Sequence, residues 1–246
     1  MWFALCICFF IVALIYASAG FGGGSLYLAI LSGTFFTLSI PVPQFKFIAL
    51  LCNGTVALLG FIQLARFNHT FFPWKKLLLI LLCSSPFAFL AASLKIQNET
   101  FLIWLGYGLL LAAIAILLPL LFNKINPNLP TNSIYPFASI FGFLSGITGI
   151  GGGVYLAPIL HFTSYAKNKS AATITTAFIA VNSFVAMGAN LPNFEEFDAT
   201  LFLLVPVVIV GGFIGNSILR LKMNTTHLKI ITSVILVVAA FRLLIR

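Results

Sequence analysis

Charge is what this chain has least of. Among its 246 residues four are acidic (Glu99, Glu195, Glu196 and Asp198) and thirteen basic, so charged residues make up 7%, against roughly 25% in soluble domains. Too little polar surface is available to cover a water-soluble globule. The shortage of acids excludes more. None of the four falls inside the ten apolar segments described below, and neither an HExxH nor a GxSxG pattern occurs. Without paired carboxylates, a metal constellation or a nucleophile beside a base, an intramembrane enzyme has nothing to work with. Cysteines are also few. Cys6, Cys8, Cys52 and Cys83 all lie in apolar runs, without metal-site or disulfide-framework spacing, and read as small core residues. No cofactor or metal is expected. A basic tract is missing too: the thirteen Lys and Arg are spread through the connections, so the formal charge of +9 reads as a topology determinant rather than a nucleic-acid patch.

What is present is apolar length. Hydrophobic residues make up 61% of the chain, with 27 Phe, in runs such as 101–122 and 231–245 that approach the ~20 residues needed to span a hydrocarbon core. These runs are apolar all round, which suits helices and not the alternating pattern of a barrel. Hydropathy places five segments in the first half, at about 1–19, 25–40, 45–65, 74–94 and 100–122. Five more follow at about 134–148, 153–164, 171–190, 199–219 and 227–245. Ala17-Ser18-Ala19 mimics a signal-peptidase site, but no Lys or Arg precedes the apolar stretch, so residues 1–19 are expected to belong to the mature protein.

The chain repeats itself. Gly20-Phe-Gly-Gly-Gly-Ser-Leu-Tyr-Leu-Ala-Ile-Leu31 matches Gly149-Ile-Gly-Gly-Gly-Val-Tyr-Leu-Ala-Pro-Ile-Leu160, and the same offset of 129 carries Asn53 onto Asn182. Two transmembrane repeats follow, residues 1–123 and 134–246, with a connecting loop at 124–133. Such internal repeats mark transporter folds. The first two segments of each half form either one interrupted span or a hairpin, and charge arbitrates. Continuous spans distribute the basic residues evenly over both sides. Hairpins put Arg66, Lys75, Lys76, Lys124, Lys167, Lys169, Arg220, Lys222 and Lys229 on one side, and Lys46, Lys95, Arg242, Arg246 and all four acids on the other. The second distribution obeys the positive-inside rule. The expected fold is therefore an all-α polytopic membrane protein of two inverted repeats. Each repeat has a glycine-broken helix pair and three transmembrane helices, and both termini lie outside.

Three consecutive glycines break a helix, and the helix restarting at Ser25 or Val154 presents unpaired N–H groups and a positive dipole end. Glycines allow an anion close to that backbone. The candidate substrate-binding residues are Gly22, Gly23, Gly24 and Ser25 with Asn53 in one half, and Gly151, Gly152 and Gly153 with Thr176 and Asn182 in the other. Close helix packing explains glycines equally physically, and interhelical hydrogen bonding explains the asparagines. For Gly211 and Gly215 in Gly-Gly-Phe-Ile-Gly, packing is the reading. His69, His161 and His227 read as interfacial, with His161 close to the second motif.

The doubled G-[FI]-G-G-G, the Tyr-Leu-Ala-Pro-Ile-Leu after its second copy, the Ala171-Ala-Thr-Ile-Thr175 run and the asparagine of each half together resemble the sulfite exporter TauE/SafE family of bacterial inner-membrane proteins. The resemblance covers essentially the whole chain. It implies transport of sulfite, organosulfonates or related sulfur-containing anions, often as export, with the bacterial inner membrane as location. Ala29-Ile30 departs from the Ala-Pro of the second half, and Cys83-Ser-Ser-Pro-Phe-Ala88 stands where the second half has its Gly-Gly-Phe-Ile-Gly. The expected partners are a small anionic substrate and the lipid bilayer; nothing in the sequence indicates an oligomer. A non-transporting assembly protein or scaffold is the alternative, since packing glycines serve it too.

Overall fold

The computed structural model describes residues 2–33, 40–67, 74–94, 96–121, 130–163, 165, 168–220 and 226–245. Among them are ten α-helices and no strand: α1 (Trp2–Ser18), α2 (Gly24–Leu31), α3 (Val42–Phe67), α4 (Trp74–Ser93) and α5 (Asn98–Leu121), then α6 (Ile134–Thr148), α7 (Gly153–Phe162), α8 (Asn168–Ala189), α9 (Leu204–Arg220) and α10 (Thr226–Leu244). The order short, shorter, long, long, long recurs in both halves, and each of the ten segments read from hydropathy contains one of these helices for most of its length; the stretch 34–39 of the segment read at 25–40 lies outside the described residues. Five stretches, in α3, α4, α5, α8 and α9, are long and apolar enough to cross a membrane. The protein is an all-helical, multi-pass membrane protein.

Glycine ends the first helix of each half. Gly20 takes φ 86°; its N–H reaches the Ala17 carbonyl at 3.1 Å and the Phe21 N–H reaches Tyr16 at 2.8 Å, the paired bonds of a Schellman cap. Gly149, at φ 72°, closes α6 with a bond to the Ser145 carbonyl at 2.8 Å. After each break the chain turns back. The ring of Phe9, midway along α1, stacks on that of Tyr27 in α2 with centroids 4.7 Å apart. The Ser25 hydroxyl lies 3.0 Å from that of Tyr16. Had α2 continued the direction of α1, at 1.5 Å rise per residue Phe9 and Tyr27 would lie roughly 20 Å apart or more. Phe141 of α6 and Tyr155 of α7 repeat the fold-back, with centroids 5.9 Å apart. Both glycine breaks are hairpin tips.

The packing has a two-fold pattern. α1 lies on α9 and α6 on α4; α3 lies on α9 and α8 on α4. Exchanging the halves converts each pair into another observed pair. α3 meets its own counterpart α8, and α5 meets α10. Register gives the directions. Asn53 touches Ser183 while Gln44, nine residues earlier, bonds the Glu196 backbone beyond the end of α8, so α3 and α8 run antiparallel. α1 and α9 run parallel: a methyl group at Gly211 would sit 2.6 Å from the Phe10 carbonyl, and one at Gly215, a turn later, would strike that of Leu14. This is the packing face expected of Gly211 and Gly215. In the counterpart pair the glycines sit on the other partner: Gly142 and Gly146 of α6 admit the backbone of Ser84 and Ala88. Cys83-Ser-Ser-Pro-Phe-Ala88 needs no glycine of its own for that reason. Pro86 inside α4 is accommodated nearby, the Ser139 hydroxyl donating to the Cys83 carbonyl at 3.0 Å.

α3 and α8 are the innermost long helices, and α4 and α9 the outermost. Leu78, Leu79, Leu82, Phe89 and Leu90 of α4 point outward, as do Val210 and Phe213 of α9, a surface suited to lipid. Four expectations need correction. The restarted helices begin at Gly24 and Gly153, one residue early. The described helix at 199–219 starts as a 3₁₀ turn over Ala199–Leu203, capped by Asp198. Glu99 lies in the first turn of α5 rather than before it, where the helix dipole favours a carboxylate. The basic residues are not confined to connections: Lys46 sits in the second turn of α3 and Arg242 in the last of α10. His69 and the side chains of His161, His227, Lys95, Lys124, Lys167, Lys169, Arg220, Lys222, Lys229 and Arg246 lie outside the described residues.

Candidate functional site: the glycine junction

The middle of α3 carries Asn53, 1% exposed, and its carboxamide joins the two hairpin tips. Oδ1 accepts from the Gly24 N–H at 2.8 Å, capping α2 from another helix. Nδ2 donates to the Ser183 hydroxyl of α8 at 2.8 Å and, at 3.4 Å, to the carbonyl of Ile150 inside the second break. Three of the glycines exist to admit this amide. A methyl group at Gly24 would sit 2.7 Å from Cγ of Asn53; one at Gly22 would strike Oδ1, and one at Gly151 would strike Nδ2. Gly22 and Gly24 of the first motif, Gly151 of the second, 129 residues after Gly22, and Asn53 of α3 thus form one contact.

Backbone geometry explains others. Gly23, at φ 96°, is the left-handed cap of α2, and a side chain there would meet the Tyr27 ring at 2.8 Å. Gly152, at φ 69°, packs beneath the Phe141 carbonyl. Gly153 lies against Ile179 and the Thr175 carbonyl of α8.

The asparagines are not used alike. Asn182, fully buried, accepts from the Ser84 hydroxyl of α4 at 3.2 Å, and its Nδ2 has no hydrogen-bond partner. The position that Asn53 fills in its own half is taken in the other half by Ile179. Thr176 returns its hydroxyl to the Ala172 and Thr173 carbonyls, both at 3.0 Å, and Ser25 is bonded to Tyr16. Neither is brought to Asn53 by a described contact. The buried polar atoms without a partner among the described residues include Tyr27 Oη beside Gly23, Ser145 Oγ on the helix face under Gly152, Asn182 Nδ2, and both amide atoms of Gln63 further along α3. Buried polar groups are normally satisfied, so each of these atoms is an open hydrogen-bonding position.

Sequence reasoning passed over Lys46, which it counted as a topology signal. The structure buries it at 6% exposure, its ammonium 5.2 Å from the centre of the Phe101 ring. The signal was its place inside the apolar run 45–65 rather than in a connection.

Two helix pairs folded back at glycine tips, buried inside a multi-pass helical bundle, are the kind of interrupted helix on which membrane transporters build their sites. The comparisons name the family. The sulfite exporter TauE/SafE family matches residues 5–243, and the chain belongs to that family. A probable membrane transporter protein of Sinorhizobium fredii is 28% identical over 245 residues, covering 98% of this chain and 97% of the relative. Another, of Methanocaldococcus jannaschii, is 27% identical over 254 residues, covering 96% and 92%. No solved structure matches the chain. Family and relatives are named as membrane transporters, not enzymes.

Proposed function

We propose that this transporter carries a small sulfur-containing anion, sulfite or an organosulfonate, out across the bacterial inner membrane through the glycine junction. The observation that carries the reading is the Asn53 carboxamide spanning both hairpin tips. In this conformation Asn53 Oδ1 stands where an anion would, on the Gly24 N–H at the positive end of α2. Rotation of the amide away from Gly24 frees that N–H and the dipole behind it for an anion, and Nδ2 remains as a donor to the same guest. The carboxamide is thereby both gate and ligand, and Gly22, Gly23, Gly24, Ser25, Gly151, Gly152, Gly153, Thr176 and Asn182 form the surrounding path.

The halves act as inverted repeats. This is supported by the fold-back of α2 on α1 and α7 on α6, and by α3 running antiparallel to its counterpart α8. Export needs no coupling ion: an anion leaving a cell that is negative inside gains about 2.3 kcal/mol per charge per 100 mV, and no carboxylate lies in the middle of a described span to relay protons.

Asn53→Asp tests the gate. The carboxylate keeps the cap on Gly24 but gives up the donor to the Ile150 carbonyl, so thermal unfolding first checks that the variant folds; in the folded variant a negative charge stands in the anion's place. At an effective dielectric near 20, repulsion at about 4 Å is roughly 4 kcal/mol, so sulfite flux in proteoliposomes falls at least a hundredfold. Flux within a factor of three of the wild type refutes the junction as the path.

A further inference from the structure

Among the described residues Lys46 is the one charged side chain that is buried. It projects into a cavity of about 360 Å³ at the end of the bundle where α3 and α5 begin and α4 and α8 end. Ser93, Asn98 and Asn190 supply the cavity's other polar side chains, and none of its lining residues is acidic. Asn190 spends its amide N–H groups on the carbonyls of Ala92, at 2.7 Å, and Ala186, at 3.1 Å; its oxygen is a neutral acceptor and supplies no counter-charge. No described carboxylate pairs with Lys46. Desolvating an ammonium without a counter-charge is unfavourable, and the Phe101 ring offsets only part of that. Such a group in an open cavity is a receptor for an anion from solution. Its stem leads inward: a methyl group at Gly149, the first glycine of the second break, would lie 3.6 Å from Cγ and 3.7 Å from Cε of Lys46. The cavity thus lies one side chain away from the start of the second glycine break.

We propose that the Lys46 cavity is a second anion site, a vestibule that takes a small oxyanion such as sulfite or a short sulfonate beside the glycine junction. This rests on the reading of the protein as an anion transporter, but it concerns different residues and a different measurement. The ammonium supplies the charge, the Asn98 side chain the donor at the rim, and Phe101, Leu94 and Leu191 an apolar wall, while Ser93 spends its hydroxyl proton on the Leu90 carbonyl at 2.9 Å. The cavity volume lies at the low end of small-ligand sites, with room for an oxyanion and a short alkyl group.

The test is equilibrium binding of radiolabelled sulfite and of methanesulfonate to the purified full chain, for the wild type, Lys46→Gln, Lys46→Arg and Asn98→Asp. Wild-type binding that weakens at least tenfold in Lys46→Gln and Asn98→Asp, and stays within threefold in Lys46→Arg, supports the vestibule. A lysine that merely packs gives no reason for Asn98→Asp, which adds a competing carboxylate to the rim, to act like Lys46→Gln. Thermal unfolding checks that the variants fold; Lys46→Gln removes a buried charge and should not lower the midpoint. Absence of wild-type binding for both anions, or equal binding by all four proteins, overturns the proposal. Flux separates this from the transport reading. Binding that depends on Lys46 in a protein without flux leaves the vestibule and removes the transporter of sulfur anions, whereas normal flux with Lys46-independent binding does the reverse.

Discussion

Asn53 and Asn182 occupy matching positions in the two halves, share one side chain and are both buried, yet the structure gives them unequal work. Truncation to alanine measures the inequality. Asn53→Ala removes the cap on Gly24, about 0.5–2 kcal/mol, and leaves the Ile150 carbonyl buried without its donor, about 1–3 kcal/mol. Ser183 recovers by bonding a carbonyl one turn back in α8 and adds little. The loss comes to about 2–4 kcal/mol. Asn182→Ala gives up one bond of 3.2 Å and also removes an Nδ2 that had no partner, for a loss of about 0–1 kcal/mol. Both variants delete the same atoms from buried sites, so the cavity terms largely cancel. Equilibrium unfolding by SDS titration in one detergent should therefore place Asn53→Ala roughly 2–3 kcal/mol below Asn182→Ala. Equal losses, or the opposite order, would show that the Asn53 contacts do not hold the two hairpin tips together.

Three further outcomes follow from the same geometry. Gly23→Val and Gly152→Val should abolish transport, because both positions hold a positive φ that β-branched residues rarely adopt; normal flux in a folded variant contradicts the assignment. Gly211→Ala presses a methyl group on the Phe10 carbonyl and should cost about 1–3 kcal/mol of stability while leaving anion affinity unchanged. Single cysteines at Lys75 and Asn193, in a background lacking the native four, should label from opposite faces of the membrane; labelling from one face removes the inverted arrangement.

The helices were legible because each is an apolar run bounded by polar or glycine breaks, and the doubled glycine motif was legible because its spacing is shared with the asparagines. Hydropathy alone left the hairpin undecided, since Phe9 and Tyr27 are apolar in either arrangement; the distribution of basic residues favoured the hairpin, and the stacking of the two rings agrees with a fold-back of α2 on α1. The asymmetry of the asparagines was hidden for a different reason. A shared offset equates Asn53 with Asn182, but the space beside Gly153 is filled by Ile179, a packing fact that no spacing encodes. Lys46 was visible as a lysine in an apolar run, but its burial depends on Phe101 and on the ends of α4 and α8, which come from elsewhere in the chain. The packing role of Gly211 and Gly215 was read correctly because small residues four apart define one helix face whatever they meet.

The central claim is potential-driven export of a sulfur-containing anion through the glycine junction, and flux from proteoliposomes loaded with radiolabelled sulfite tests it most directly. An imposed potential, inside negative, should accelerate release by the wild type without any pH gradient, and Asn53→Asp should abolish that acceleration. Release that ignores the potential, or that follows the proton gradient alone, contradicts the account.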